Sequence, residues 1–305
     1  MKTISCLITC YNREKFVERA INSVLNQTGN FILEVIVVDD GSTDNSVQVI
    51  KQFKGDKIHT FFNPHQGLVP TFVFGIKQCT GDYLCFCDSD DYYLNGKLQR
   101  QLFEMEKNPD VGLCGTMSVA ENPYTGKRFL YRIPIILGHT TFDGLLMGKF
   151  IFTEPTYLIR KSVLDGFDLR ILSKFNIQDY PILLYFAFYS KILCLNRPTA
   201  VFSVLTDSHS HPRRRTNKLK YLVGLYKIRL YFMFHCHFNP KTFLFVTSDF
   251  INQTLGVIVR KPLDYTFGER RPATRKELSF IITDQERRRK AVVTLGGSER
   301  INVTH

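Results

Sequence analysis

Gly81-Asp82-Tyr83-Leu84-Cys85-Phe86-Cys87-Asp88-Ser89-Asp90-Asp91 decides the reading of this 305-residue chain. The uncharged, largely apolar run from Tyr83 to Cys87 leads straight into three carboxylates. A run of this length bounded by Gly reads as a strand buried on both faces. The carboxylates then lie at its C-terminal end, the edge at which open α/β sheets bind ligands. Only Ser89 separates Asp88 from Asp90, so a bend at the strand end turns both towards one ligand. Hard oxygen donors at this spacing suit Mg²⁺ or Mn²⁺, usually shared with substrate phosphates. A solvated acidic turn is the competing reading, because Asp and Ser favour turns in any case.

The flanking sequence repeats the pattern. Thr3 to Cys10 reads as a buried strand ended by Tyr11-Asn12. Arg13 to Gln27 reads as a helix, with Phe16, Val17, Ala20, Ile21, Val24 and Leu25 at three- and four-residue spacing. Val35 to Val38 is a second buried strand, and it ends in Asp39-Asp40-Gly41-Ser42. Asp44 or Ser46 suits the cap of the helix that follows, to about Phe53. A strand is expected over Ile58–Phe62 and a helix over about Val69–Gln78. Lys97–Glu106 is expected to be helical and Val111–Met117 a strand. Strands and helices alternating at these lengths predict an α/β fold with a mostly parallel, doubly wound sheet flanked by helices. Three strand ends, carrying Thr9/Tyr11, Asp39/Asp40 and Asp88/Asp90, then meet on one edge, where this architecture forms a nucleotide crevice. Capping and turn chemistry is the plainer role for Asp39-Asp40. Tyr11 is either a core aromatic or a ring placed to stack on a base.

Charge is divided unevenly. Residues 1–209 hold 21 Lys+Arg against 21 Asp+Glu, whereas residues 210–305 hold 19 against 7, so the whole net charge of +12 lies in the last third. An anionic surface is the expected partner of that third, membrane lipid ahead of nucleic acid, and no specific nucleic-acid recognition is expected. The eight cysteines show no C-x-x-C spacing, which argues against a zinc or redox site. Most lie in apolar runs, and reduced thiols in a cytoplasmic setting are expected. Met1-Lys2-Thr3-Ile4 enters a strand pattern directly, so no signal peptide is expected. No uncharged apolar run approaches the roughly 18 residues that span a bilayer.

Taken together, Ser5-Cys6-Leu7-Ile8-Thr9-Cys10-Tyr11-Asn12, Ser23-Val24-Leu25-Asn26-Gln27-Thr28, Glu34-Val35-Ile36-Val37-Val38-Asp39-Asp40-Gly41-Ser42-Thr43-Asp44 and Gly81 to Asp91 resemble family 2 glycosyltransferases, over roughly residues 3–115. The resemblance implies a GT-A fold, a nucleotide-sugar donor and inversion at the anomeric carbon. It implies that Thr9, Tyr11 and Asp39 border the nucleoside, that Asp88 lies near the ribose and the metal, and that Asp90 ligates the metal bridging the diphosphate. Asn12, Asp40 and Ser89 complete the expected donor-binding set. The family often carries Gly-x-x-x-Ala-Arg-Asn-x-Gly after the third strand; here Phe72 and Val73 replace the Arg-Asn pair, so donor identity is not inherited.

The second half is expected to supply the acceptor side. Thr156–Arg160 reads as a strand. Leu164-Asp165-Gly166-Phe167-Asp168 and Asn176-Ile177-Gln178-Asp179-Tyr180-Pro181 resemble the family's Gly-Phe-Asp…Glu-Asp-Tyr-Asp segment, with Gln178 in place of Glu. The matching carboxylate, Asp179, precedes an apolar helix over Ile182–Tyr189. It is either a helix N-cap or the general base that deprotonates the acceptor hydroxyl. Asn196–Leu205 reads as a strand leading to Asp207-Ser208-His209-Ser210-His211, a polar loop or a pair of metal and diphosphate ligands in His209 and His211. From Leu219 to Phe238, apolar and aromatic residues recur every three to four positions with Lys218, Lys220, Lys227 and Arg229 between them. That suits a helix lying on an anionic bilayer, or equally an amphipathic helix packed on the catalytic unit.

The expected organisation is a GT-A catalytic domain over 1–210, with a nucleotide-sugar-binding half (1–115) and an acceptor half (116–210), then a basic, aromatic, helical extension over 211–305. The expected activity is metal-dependent transfer of a sugar, with inversion, from a nucleoside diphosphate to a glycan or lipid-linked acceptor in polysaccharide or glycolipid assembly. The expected location is the cytoplasm, with a peripheral place on the cytoplasmic membrane. Sugar-phosphate nucleotidyl transfer and a non-catalytic membrane-binding scaffold are the rival readings; Cys10-Tyr11-Asn12-Arg13 lacks the glycines of the first.

Overall fold

The structure, a computed structural model, describes residues 1–131, 138–147, 154–205 and 218–259. The chain begins with β1 (Lys2–Cys10), α1 (Val17–Leu25), β2 (Phe31–Asp39), α2 (Ser46–Ile50), β3 (Ile58–Phe62), α3 (Leu68–Gln78) and β4 (Tyr83–Phe86). It continues through β5 (Tyr92–Tyr93), α4 (Lys97–Lys107), β6 (Val111–Glu121), β7 (Arg128–Tyr131), β8 (Gly138–Thr140) and α5 (Phe142–Leu146). A 3-10 turn (Glu154–Thr156) leads to β9 (Leu158–Arg160), α6 (Lys161–Leu164), α7 (Arg170–Phe175), α8 (Asp179–Tyr189), β10 (Lys191–Ser203), α9 (Lys218–His235) and α10 (Pro240–Val259).

The strands form one sheet in the order β3-β2-β1-β4-β9-β6-β10-β5, with β7 beside β6 and β8 beside β10. β3, β2, β1 and β4 are parallel, as the alternation predicts. β9 then runs antiparallel between β4 and β6. The sheet is therefore doubly wound and parallel in its first half and mixed in its second. β10 starts at Lys191, earlier than the sequence suggests. It passes through Asn196-Arg197-Pro198 by slipping register at Pro198, which cannot donate to the ladder.

Strand side chains alternate between faces. Ile4, Cys6, Ile8, Val35 and Val37 pack with α1 on one face, and Leu7, Ile36, Val38, Leu84 and Phe86 pack with α3 and α8 on the other. Both faces are covered, which is why the strands read as continuous apolar runs. Phe72, at the position where the resemblance has Arg, lies in this second layer, its ring centroid 4.8 Å from that of Phe86. That position serves the core here.

β4 enters beside β1 through Gly81. Its N–H donates to Ser5 Oγ at 2.8 Å, and a Cβ at this position would sit 2.7 Å from Ser5 N and 3.0 Å from Thr3 O. Because the obstacle is strand backbone, Gly81→Ala should cost about 1–3 kcal/mol. The midpoint of urea unfolding reads this, and an unchanged midpoint would show that β1 yields.

Ile228, Phe232 and Met233 of α9 and Val246 of α10 are buried in the same cluster as Leu183 and Phe186 of α8. Arg229 bridges Asp249 at 3.1 Å and donates to Tyr180 Oη at 3.3 Å, while Tyr226 stacks on Phe250. Of the two readings of this segment, packing on the catalytic unit is the one seen here. Phe234, Phe238, Leu244 and Phe245 stay exposed. Among the described residues no helix is long and apolar enough to cross a membrane.

Candidate active site

β1, β2 and β4 end on one edge, with Cys10 opposite Asp39 in register. Asn12 turns the chain away from β1 in the left-handed region (φ 52°), which Asn tolerates better than most residues. Its N–H donates to Ser42 Oγ at 2.9 Å, and its Oδ1 accepts from Thr43 N at 2.8 Å. Ser42 in turn donates its N–H and hydroxyl to the buried Asp39 carboxylate. The cap of α2 is Asn45, without a side-chain capping bond, rather than Asp44 or Ser46; Asp44, one residue earlier, accepts from Ser46 N at 2.9 Å.

Asp40 is also buried. Its oxygens accept from Gln66 N and Gly67 N, each at 2.9 Å, and Oδ2 lies 2.9 Å from His65 Nδ1. Gly41 (φ +71°) makes this approach feasible, because a Cβ there would stand 2.6 Å from His65 N. His65 stacks on Tyr11 with centroids 4.2 Å apart at 20°. Tyr11 is 40% exposed, so its ring offers an open surface backed by the imidazole. Thr9 and Ser89 are buried at the same edge. His65 was not picked out in the sequence, since a lone His after an aromatic strand carries no spacing signal.

Oxygens of Asp88, Asp90 and Asp91 all come within 4.8 Å of one another. The bend that gathers them is closed by Asp91 N donating to Asp88 O at 2.9 Å. Arg13 Nε donates to Asp90 Oδ2 at 3.0 Å and Nη1 to Asn12 O at 3.0 Å, tying the first strand end to the third. Asp91 is buried and accepts from Ser203 N at 2.7 Å. Crowding shows in the acidities. Burial, then the charges of Asp90 and Asp179, push Asp88 up to about 7 against the opposing effect of Arg13. Burial and its two neighbours raise Asp91 well above the usual carboxylate range. The donor set fits a hard divalent cation: every atom is a carboxylate oxygen, and a double positive charge relieves the repulsion.

Asp179 is the first residue of α8 rather than the residue before it, and Gln178 at the cap position makes no side-chain capping bond. The carboxylate accepts from Tyr180 N at 2.7 Å, and burial raises its pKa. Its charge raises both Asp88 and Glu154. Glu154, from the 3-10 turn, was missed in the sequence, where it is a single acid among aromatic residues. It accepts from Gln178 Nε2 at 2.8 Å, so a carboxylate from another segment pairs with the Gln that replaces the family's Glu. Burial pushes Cys10, the thiol nearest Asp39, up to about 12, so it is no nucleophile at neutral pH. His209 and His211 lie outside the described residues.

Burial, then Asp88 and Asp179, raise Glu154 well above its ordinary value of about 4.3. Below that value Glu154 is neutral in folded and unfolded chains alike. As pH rises the unfolded chain ionises first, and stability is lost until the raised native value is passed. Glu154→Gln should therefore lose less melting temperature than the wild type between pH 5 and 8. Equal losses in thermal melts at the two pH values would count against this assignment.

Residues 5–167, more than half of the chain, match Glycosyl transferase family 2. The chain belongs to this family. An uncharacterized glycosyltransferase from Nostoc is 40% identical over 121 residues, covering 39% of this chain and 37% of the relative. An Escherichia coli protein named UDP-Glc:alpha-D-GlcNAc-diphosphoundecaprenol beta-1,3-glucosyltransferase is 33% identical over 107 residues, covering 35% of this chain and 42% of the relative. The chain thus spans less than half the length of these relatives. Among solved structures, S. aureus TarS 1-349 in complex with UDP-GlcNAc aligns with a TM-score of 0.63 at 16% identity, over 87% of this chain and 77% of that one. A mannosyltransferase from Pyrobaculum calidifontis in complex with GDP-Man and Mn²⁺ aligns with a TM-score of 0.54 at 13% identity, over 93% and 86%. At those identities the two structures bear on the fold, which is of the GT-A type in this family 2 chain.

Proposed function

We propose that this family 2 chain transfers a sugar from a nucleoside diphosphate to an acceptor hydroxyl with inversion of the anomeric carbon. The observation that carries the reading is the meeting of Asp88, Asp90 and Asp91 oxygens within 4.8 Å, with Asp179 close enough to shift Asp88. Asp88 and Asp90 would hold Mg²⁺ or Mn²⁺, which supplies neutralising charge for the departing diphosphate. Tyr11, backed by His65, offers its open ring to the base, and Asn12, Asp39 and Ser42 form a fixed wall beside it. Asp179 takes the proton of the acceptor hydroxyl as that oxygen bonds to the anomeric carbon. The bond from that carbon to the diphosphate oxygen breaks, and its electron pair leaves with the diphosphate. Burial lifts the carboxylate into the basicity this needs.

The UDP-GlcNAc and GDP-Man carried by the two structural neighbours support a nucleotide-sugar donor, and the diphosphoundecaprenol in the E. coli relative's name supports a lipid-linked acceptor. Such an acceptor lies at a membrane. The exposed Phe234, Phe238, Leu244 and Phe245, with the net +12 of the last third, suit peripheral attachment to anionic lipid. The test is thermal shift with UDP, GDP and dTDP and Mn²⁺, followed by release of nucleoside diphosphate from the matching sugar donors. A rise in melting temperature that needs both nucleotide and cation is expected. No shift with any of the three would remove the reading.

A further inference from the structure

Arg19 belongs to none of the recognised motifs, yet it reaches the back of the acidic bend. From α1 its Nη2 donates to the backbone carbonyl of Asp90 at 3.0 Å and to Ser203 Oγ at 3.1 Å. Its Nη1 lies 3.4 Å from Glu121 Oε2, and its guanidinium sits 4.3 Å from the centre of the Tyr92 ring. The surroundings are themselves fixed. Tyr92 Oη donates to Glu121 at 2.9 Å, and Arg128 pairs with Glu121 at 2.9 Å and donates to Tyr92 Oη at 3.0 Å. Ser203, at the end of β10, donates its hydroxyl to the same Asp90 carbonyl and its N–H to the Asp91 carboxylate.

We infer that Arg19, with Ser203, is a positioning residue for the cation-binding carboxylates. A carbonyl that accepts from two elements fixes the plane of its peptide. The Cα–Cβ direction of Asp90 follows from that plane, so the carboxylate is aimed before any cation arrives. Without the two donors the bend can rotate about the Asp90 peptide, and each binding event must first order it. Lysine is a poor substitute. It carries one nitrogen where the guanidinium fork serves Asp90 O, Ser203 and Glu121 together.

This rests on the reading of Asp88 and Asp90 as cation ligands, and the experiment separates the two ideas. Mn²⁺ is titrated into the full chain without nucleotide, and free Mn²⁺ is read by electron paramagnetic resonance. Amide hydrogen exchange over 88–93 is followed in parallel. Arg19→Ala should weaken Mn²⁺ binding about 10–100-fold, the range typical of groups that orient ligands from behind. It should also speed exchange in 88–93, and Arg19→Lys should recover part of both. Arg19→Ala that lowers the melting temperature yet binds Mn²⁺ within twofold of wild type overturns the inference and leaves Arg19 a packing residue. If the wild type itself binds no Mn²⁺, the cation reading under Proposed function falls. Exchange then decides alone: unchanged protection of 88–93 in Arg19→Ala overturns the clamp, and lost protection upholds it.

Discussion

Asp179→Asn is expected to lower kcat about 10²–10⁴-fold while leaving nucleotide affinity nearly unchanged, because base assistance is worth that much and the role proposed for Asp179 is towards the acceptor hydroxyl, not the nucleotide. The amide keeps the shape and can still accept from Tyr180 N, so the fold should survive. The pH profile distinguishes a base from a merely structural carboxylate. Burial raises Asp179 above the ordinary carboxylate value. Only its ionised form can take a proton, so the wild-type rate should climb with pH through that raised value and then level off. At saturating Mn²⁺, which keeps Asp88 ionised, the climb should vanish from the residual rate of Asp179→Asn. A variant that keeps full kcat, or keeps the acidic limb, would return Asp179 to a structural role at the start of α8.

Asp90→Asn should abolish the Mn²⁺-dependent part of the activity, a loss of at least about 10²–10³-fold, the size seen when one preorganised charge partner of a transition state is removed. Stability should move the other way. Asp90 raises the pKa of both Asp88 and Asp91, so its charge repels two neighbours in the cation-free protein. Its pair with Arg13 is mostly buried, at 18% and 14% exposure of the side chains, but the Asn amide oxygen can still accept from Arg13 Nε, so part of that contact survives the substitution. The melting temperature of Asp90→Asn without metal should match or exceed that of the wild type. Activity lost while stability is kept is the signature of a group held in place for function. A clear fall in melting temperature without metal would mean that the Arg13 pair outweighs the repulsion.

The first half of the sheet was legible because its strands are buried on both faces and its helices keep a 3.6-residue period. Ile58–Phe62 falls where the pattern puts it, and α3 begins one residue before expectation. β5, two residues long, could not be read, and β9, expected as a strand over 156–160, gave no sign that it runs antiparallel, since pairing partners far apart in sequence leave no local trace. The carboxylates were legible because three acids at a strand end break an apolar run. Their supports were not. Arg13, Arg19, His65, Glu154 and Ser203 come from five different segments, and only the fold brings them to the acidic edge. The tail read as amphipathic, but its period could not say whether lipid or protein covers the apolar side. The buried Ile228, Phe232 and Met233 answer for protein along that face of α9.

Tyr180, the residue after Asp179, donates its hydroxyl to Leu145 O at 2.9 Å and accepts from Arg229 of α9, which is itself held by Asp249 of α10. The carboxylate on which turnover is proposed to depend is thus wired to the carboxy-terminal helical hairpin. Chimeras that exchange this hairpin between relatives to redirect acceptor choice will inherit a disturbed reaction centre unless Tyr180, Arg229 and Asp249 travel as a set.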